Sequence, residues 1–71
     1  MSREISQIGK NLRILRKQKE WSQDKLSKVA DISYNTVIKL ESGGITNPTI
    51  ETLQKIAKAL NISVDNLINY K

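Results

Sequence analysis

Apolar residues recur along this chain every three or four positions and almost never in strict alternation. Ile5, Ile8, Leu12 and Leu15 form one stripe, and Leu26, Val29 and Ala30 a second. Val37 and Leu40 make a short third, and Ile50, Leu53, Ile56, Ala57 and Leu60 a fourth. Val64, Leu67 and Ile68 close the chain. Spacings of three and four put side chains on one face of an α-helix, whereas a half-buried strand needs alternation. The pattern predicts helices almost throughout.

The helix starts repeat a local code. Ser22, Ser33, Thr49 and Ser63 are good N-cap residues, because a side-chain oxygen there accepts an otherwise orphaned amide. Each follows an apolar residue or proline, namely Trp21, Ile32, Pro48 and Ile62. Each has an apolar residue four places on, at Leu26, Val37, Leu53 and Leu67. That is the spacing of a hydrophobic staple. With the first stripe it predicts five helices. Stops are also legible. Gly43-Gly44 ends the third helix, Asn47-Pro48 forbids continuation, and Asn61 can take a left-handed cap after the fourth. The expected fold is all-α, a single domain over 1–71.

Composition narrows the function. At 71 residues the chain holds one domain with a modest core. There is no cysteine, which fits a reducing compartment, and no histidine. No apolar run approaches a membrane span, and Met1-Ser2-Arg3-Glu4 lacks the apolar stretch of a secretory signal. The default is cytoplasmic, in a prokaryote or phage-encoded. Without His or Cys there is no common general base near neutral pH and no thiolate. No serine has an activating partner, the seven acids are scattered singly, and Gly43-Gly44 lacks the lysine of a phosphate loop. No enzyme, metal, cofactor or small-molecule ligand is expected.

The net charge is +5, and residues 1–40 carry nine of the twelve bases against four of the seven acids. The whole excess therefore lies in the first part of the chain. A one-sided basic surface suits a polyanion partner, but charge alone does not separate this from an ordinary solvated surface. Lys10, Arg13 and Lys17 share one face of the first helix and either contact phosphates or are merely solvated.

Two short helices at 22–30 and 33–41, joined by a tight turn, make a helix-turn-helix candidate over 22–41. Three of the four capped helices have an acid at their second position, Asp24, Glu51 and Asp65, which suits the positive helix end. The helix after Ser33 has Asn35 instead. Its exposed first turn is uncharged and hydrogen-bonding, with Lys39 one turn on. Tyr34, Asn35 and Lys39 lie on the side opposite Val37 and Leu40, where a recognition helix meets base edges. Asn can pair with adenine through both amide atoms, and Lys can donate to guanine. Tyr34 can stack on a thymine methyl or reach a phosphate with its hydroxyl.

The ordered set Trp21-Ser22-Gln23-Asp24-Lys25-Leu26, Ile32-Ser33-Tyr34-Asn35-Thr36-Val37, Leu40-Glu41-Ser42-Gly43, Asn47-Pro48-Thr49, Leu53, Ile56-Ala57, Ala59-Leu60 and Ile62-Ser63 resembles the Cro and phage-repressor helix-turn-helix family. The resemblance covers nearly the whole chain. It implies a five-helix, lambda-repressor-like DNA-binding domain that acts as a transcriptional regulator, a repressor by promoter occupancy. It also implies that Tyr34, Asn35 and Lys39 read bases. Gln23, Ser33, Thr36 and the loop residues Gly44, Thr46 and Asn47 would contact phosphates. Arg16 and Glu41 would form a partly buried structural ion pair. Asp31 departs from the glycine usual in the turn, which Asp tolerates because it adopts the left-handed region better than most residues. Tyr34 departs from the frequent glutamine, which leaves the bound sequence open. Ile38 stands where the family often has a small polar residue, and it either caps the core edge or touches a partner.

The implied partner is double-stranded DNA, bound by a weak homodimer that forms on a palindromic site. The natural dimer surface, Asn61 to Tyr70, is poorly stocked, because Val64, Leu67 and Ile68 are expected to face the monomer core. The alternative is a protein-interaction or antitoxin-like module on the same scaffold. That module would favour exposed apolar residues at the start of the third helix.

Overall fold

The stripes fold into helices whose ends follow the local code. The structure, a computed structural model, describes residues 7–70; Ile5 and the Met1–Glu4 start lie outside the described residues. Among these the elements are α1 (Gln7–Gln18), α2 (Gln23–Ala30), α3 (Tyr34–Ser42), α4 (Ile50–Leu60) and α5 (Val64–Asn69), with no strand. Ser22, Ser33 and Ser63 each accept the amide three residues on, at 3.0 Å, and Thr49 accepts that of Thr52 at 3.1 Å.

Three of the helix-to-helix joints are built alike. Glu20, Asp31 and Asn61 adopt the left-handed backbone, with φ 59°, 59° and 60°. Their amides donate to Lys17, Lys28 and Ala57 or Lys58 carbonyls, and the next amide in line, of Trp21, Ile32 or Ile62, reaches back to Arg16, Ser27 or Ala57 at 3.0–3.2 Å. This double closure satisfies the orphaned carbonyls of a helix end. The same apolar residue, half-buried against the core, then precedes the next N-cap. One side chain thus closes a helix and staples the following one. The α3 end differs, with Gly43 at φ 92°.

The core is Leu12 and Leu15 from α1, Leu26 and Ala30 from α2, and Val37 and Leu40 from α3. Leu53, Ile56, Ala57 and Leu60 join from α4 and Leu67 from α5. The first helix packs on α3 and α5, α2 on α3 and α4, and α4 on α5. Three stripe residues depart from expectation. Val29 is 45% exposed, because α2 turns Leu26, Ser27 and Ala30 inward and leaves Val29 on the shoulder beside Lys55 and Lys58. Ser27 tolerates the interior because its hydroxyl donates to the Asp24 carbonyl at 2.7 Å. Ile68, expected in the core, is 36% exposed, since Leu67 takes the inward position and the next residue rotates about 100° away. Ile50, at the first position of α4, is also exposed.

Asn11 is the unexpected interior residue. It is buried on α1 and donates to the Leu67 and Ile68 carbonyls at 2.8 and 3.1 Å, while Gln7 donates to its carbonyl at 2.8 Å. Those carbonyls belong to the last turn of α5 and have no helical partner of their own. Gln18 adds a bond of 2.7 Å to the hydroxyl of Tyr70, the residue just past α5, so α1 ties down both the end of α5 and the chain that leaves it. No helix among the described residues is long and apolar enough to cross a membrane.

Candidate nucleic-acid interface

The turn between α2 and α3 is Asp31-Ile32-Ser33. The left-handed Asp31 reverses the chain, Ile32 anchors it in the core, and Ser33 starts α3 at once. Asp serves where glycine is usual because its short side chain tolerates positive φ better than most. The two helices are thereby held at a defined angle by Leu26, Ala30, Val37 and Leu40 packed between them.

On α3, Val37 and Leu40 are fully buried, and Tyr34, Asn35 and Lys39 all fall on the exposed side. Tyr34 is 47% exposed. The first turn contains no acid, whereas α2, α4 and α5 carry Asp24, Glu51 and Asp65 there. Asp24 and Glu51 are further offset by Lys28 at 3.1 Å and Lys55 at 3.7 Å. Of the four capped helix starts, that of α3 therefore has no carboxylate of its own against the positive helix end.

The Ser33 and Thr36 hydroxyls bond each other at 2.7 Å, and Ser33 Oγ also accepts the Thr36 amide. Thr36 is half-buried and Ser33 exposed. Gly44, Thr46 and Asn47 are exposed on the loop that leaves α3, and Ile45 tucks between them against the core, its amide donating to the Lys39 carbonyl at 3.1 Å. That bond folds the loop back beside Lys39. A Cβ at Gly44 would meet the Lys39 side chain at 3.4 Å, so the loop lies close against it.

Arg16 and Glu41 meet in a bidentate pair. Arg16 Nε donates to Glu41 Oε2 at 2.7 Å and Nη2 to Oε1 at 2.9 Å. Arg16 Nη1 donates to the Trp21 carbonyl at 2.7 Å. The side chains are only 10% and 4% exposed, a deeper burial than the partly exposed pair expected, because Trp21 and Gln23 close over it. The hydrogen bonds that Arg16 donates to Glu41 raise its pKa above the ordinary value, against the desolvation that lowers it. Arg16 stays charged throughout any biological pH.

Gln23 donates from Nε2 to Glu41 Oε1 at 3.1 Å. It borders an open recess of about 370 Å³ together with Arg13, Arg16, Ile38, Glu41 and Ser42. Arg13, one of the three α1 bases, is thus brought to the edge of the α2–α3 unit. Ile38 is half-buried at the same recess, on the shoulder of α3 between the core and the exposed side. Neither placement was readable from spacing along the chain, because each depends on how α1 crosses α3. No cluster of metal-ligating side chains occurs among the described residues.

A helix-turn-helix family model matches residues 12–67. The chain belongs to the helix-turn-helix family. The transcriptional regulator SinR of Bacillus licheniformis is 33% identical over 64 residues, 90% of this chain and 58% of SinR. SlrR of Bacillus subtilis, also a helix-turn-helix-type transcriptional regulator, is 31% identical over 62 residues, 87% of this chain and 41% of SlrR. The chain spans about 58% of the length of the SinR relatives it matches. Among solved structures, the N-terminal DNA-binding domain of Bacillus subtilis SinR superposes with a TM-score of 0.85 at 31% identity, covering 90% of this chain and 93% of that domain. The restriction-modification controller protein C.AhdI of Aeromonas hydrophila gives 0.82 at 30% identity, covering 89% and 94%. The five-helix architecture is that of these helix-turn-helix domains. The family is one of DNA-binding transcriptional regulators, not of enzymes.

Proposed function

We propose that this chain binds duplex DNA sequence-specifically, with α3 in the major groove, and regulates transcription by occupying promoter DNA, as a repressor. The observation that carries the reading is the exposed, acid-free first turn of α3, which presents Tyr34 and Asn35 with Lys39 beside them. In this reading Asn35 pairs with adenine, Lys39 donates to guanine acceptors, and Tyr34 covers a thymine methyl or a phosphate. Gln23, Ser33, Thr36, Gly44, Thr46 and Asn47 hold phosphates, with amides at the start of α3 adding donors.

One recognition helix reads few base pairs, so two copies pair on a palindromic site, with half-sites about 34 Å apart. The chain works in the cytoplasm, where a prokaryotic genome lies. An interaction module is disfavoured by the polar first turn of α3, where Tyr34 alone offers apolar surface. Selection from a random duplex library tests the reading. Enrichment of one palindromic sequence supports it, and no enrichment at low salt refutes it.

A further inference from the structure

Glu41 lies at the end of α3 with its side chain almost fully buried, yet three donors reach it. Arg16 supplies two of them and already neutralises the carboxylate. The third, from Gln23 Nε2, adds nothing to the charge balance. Its effect is to hold the side chain that begins α2, at the rim of the recess that Arg13, Ile38 and Ser42 also line. A carboxamide is planar and carries two N–H groups and one carbonyl. Once Glu41 takes one N–H, the same plane sets the directions of the other two groups. Among the described residues neither of these has a protein partner, and Gln23 is only half-buried.

A free glutamine side chain must give up rotamer freedom to grip a ligand, and pre-orientation removes that cost. We infer that Glu41 is a positioning residue for the DNA backbone grip: it presets the Gln23 amide for a phosphodiester oxygen at this recess, where Arg13 adds positive charge. The inference rests on the DNA-binding reading above. The carboxylate that ties α3 to α1 then also sets a contact made by α2.

The test is a cycle of dissociation constants on random-sequence duplex DNA at fixed low salt. In the unaltered protein Gln23→Ala should weaken binding about tenfold, the value of one hydrogen bond to a charged acceptor. In the Arg16→Met/Glu41→Leu background the same change should cost less than about threefold, because the amide is no longer held. The Arg16→Met/Glu41→Gln background keeps an acceptor oxygen at position 41 and should keep most of the tenfold effect. Equal Gln23→Ala effects in all backgrounds overturn the role of Glu41 and leave DNA binding standing. No binding by the unaltered protein overturns both. If the altered backgrounds do not fold, side-chain amide relaxation in the unaltered protein decides. The Gln23 amide should be markedly more rigid than that of exposed Gln54. Equal mobility overturns the proposal.

Discussion

Removing Arg16 should do more to this domain than any other single change of a charged residue. Arg16→Met deletes two bonds to Glu41, of 2.7 and 2.9 Å, and one to the Trp21 carbonyl. It leaves a carboxylate 4% exposed, with only the Gln23 amide against it. Breaking a buried pair by removing one partner costs about 3–5 kcal/mol, mostly from the stranded charge. A domain of this length has roughly 4–10 kcal/mol in total. At about 4–8 °C per kcal/mol, Tm should fall by at least about 12 °C. Glu41→Leu should cost less, because the flexible Arg16 stem can carry its charge toward solvent. The double variant removes both charges and fills the space with apolar atoms, so it should be more stable than Arg16→Met alone. Thermal and urea unfolding of the four proteins gives the coupling, expected at about 2 kcal/mol or more. If the double variant loses the sum of the two single effects within about 0.5 kcal/mol, the pair does not couple and the reasoning fails.

Asn35→Ala should relax preference at one base position and cost about 1–3 kcal/mol, read by repeating the library selection; an unchanged selected site would remove Asn35 from the base readers. Affinity should fall about tenfold for each pair of phosphates neutralised over a fourfold rise in salt, and a salt-insensitive complex contradicts a backbone contact. Glu20→Gly should stabilise the domain by about 0.5–1 kcal/mol in urea unfolding, since glycine takes the left-handed backbone without a Cβ clash; destabilisation would mean that the Glu20 side chain makes a contact that outweighs the strain. Sedimentation should find a monomer at micromolar concentration without DNA and two chains per palindromic duplex, because the Asn61–Tyr70 surface, with Ile68 its one exposed large apolar side chain, is expected to bury less than the roughly 1,200 Å² of stable complexes. A tight dimer in the absence of DNA would point to the exposed Ile68.

Much of this protein is decided within a few residues of chain. Cap oxygens at Ser22, Ser33, Thr49 and Ser63 bond amides three residues on, and the staple pairs lie within one turn, so helix number and starts are local physics. The left-handed turns at Asp31 and Asn61 are legible for the same reason, because those residue types tolerate positive φ. Glu20 is not, since glutamate has no such preference; only the joint pattern it shares with Asp31-Ile32-Ser33 and Asn61-Ile62-Ser63 marks it. The tertiary structure alone decided which shoulder of each stripe is covered. Val29 and Ile68 are apolar at helical spacing, but burial depends on where α4 crosses α2 and α5 crosses α1. Asn11 reads as a solvated polar residue until α5 docks and presents two orphaned carbonyls, although its place between Ile8 and Leu15 put it inside the stripe. Arg13 on α1, Gln23 on α2 and the Ile38–Ser42 pair on α3 are far apart in sequence and meet only because the three helices converge. Periodicity records the face a helix turns inward, but not the angle at which a neighbour crosses it, and that angle brought these side chains to one recess.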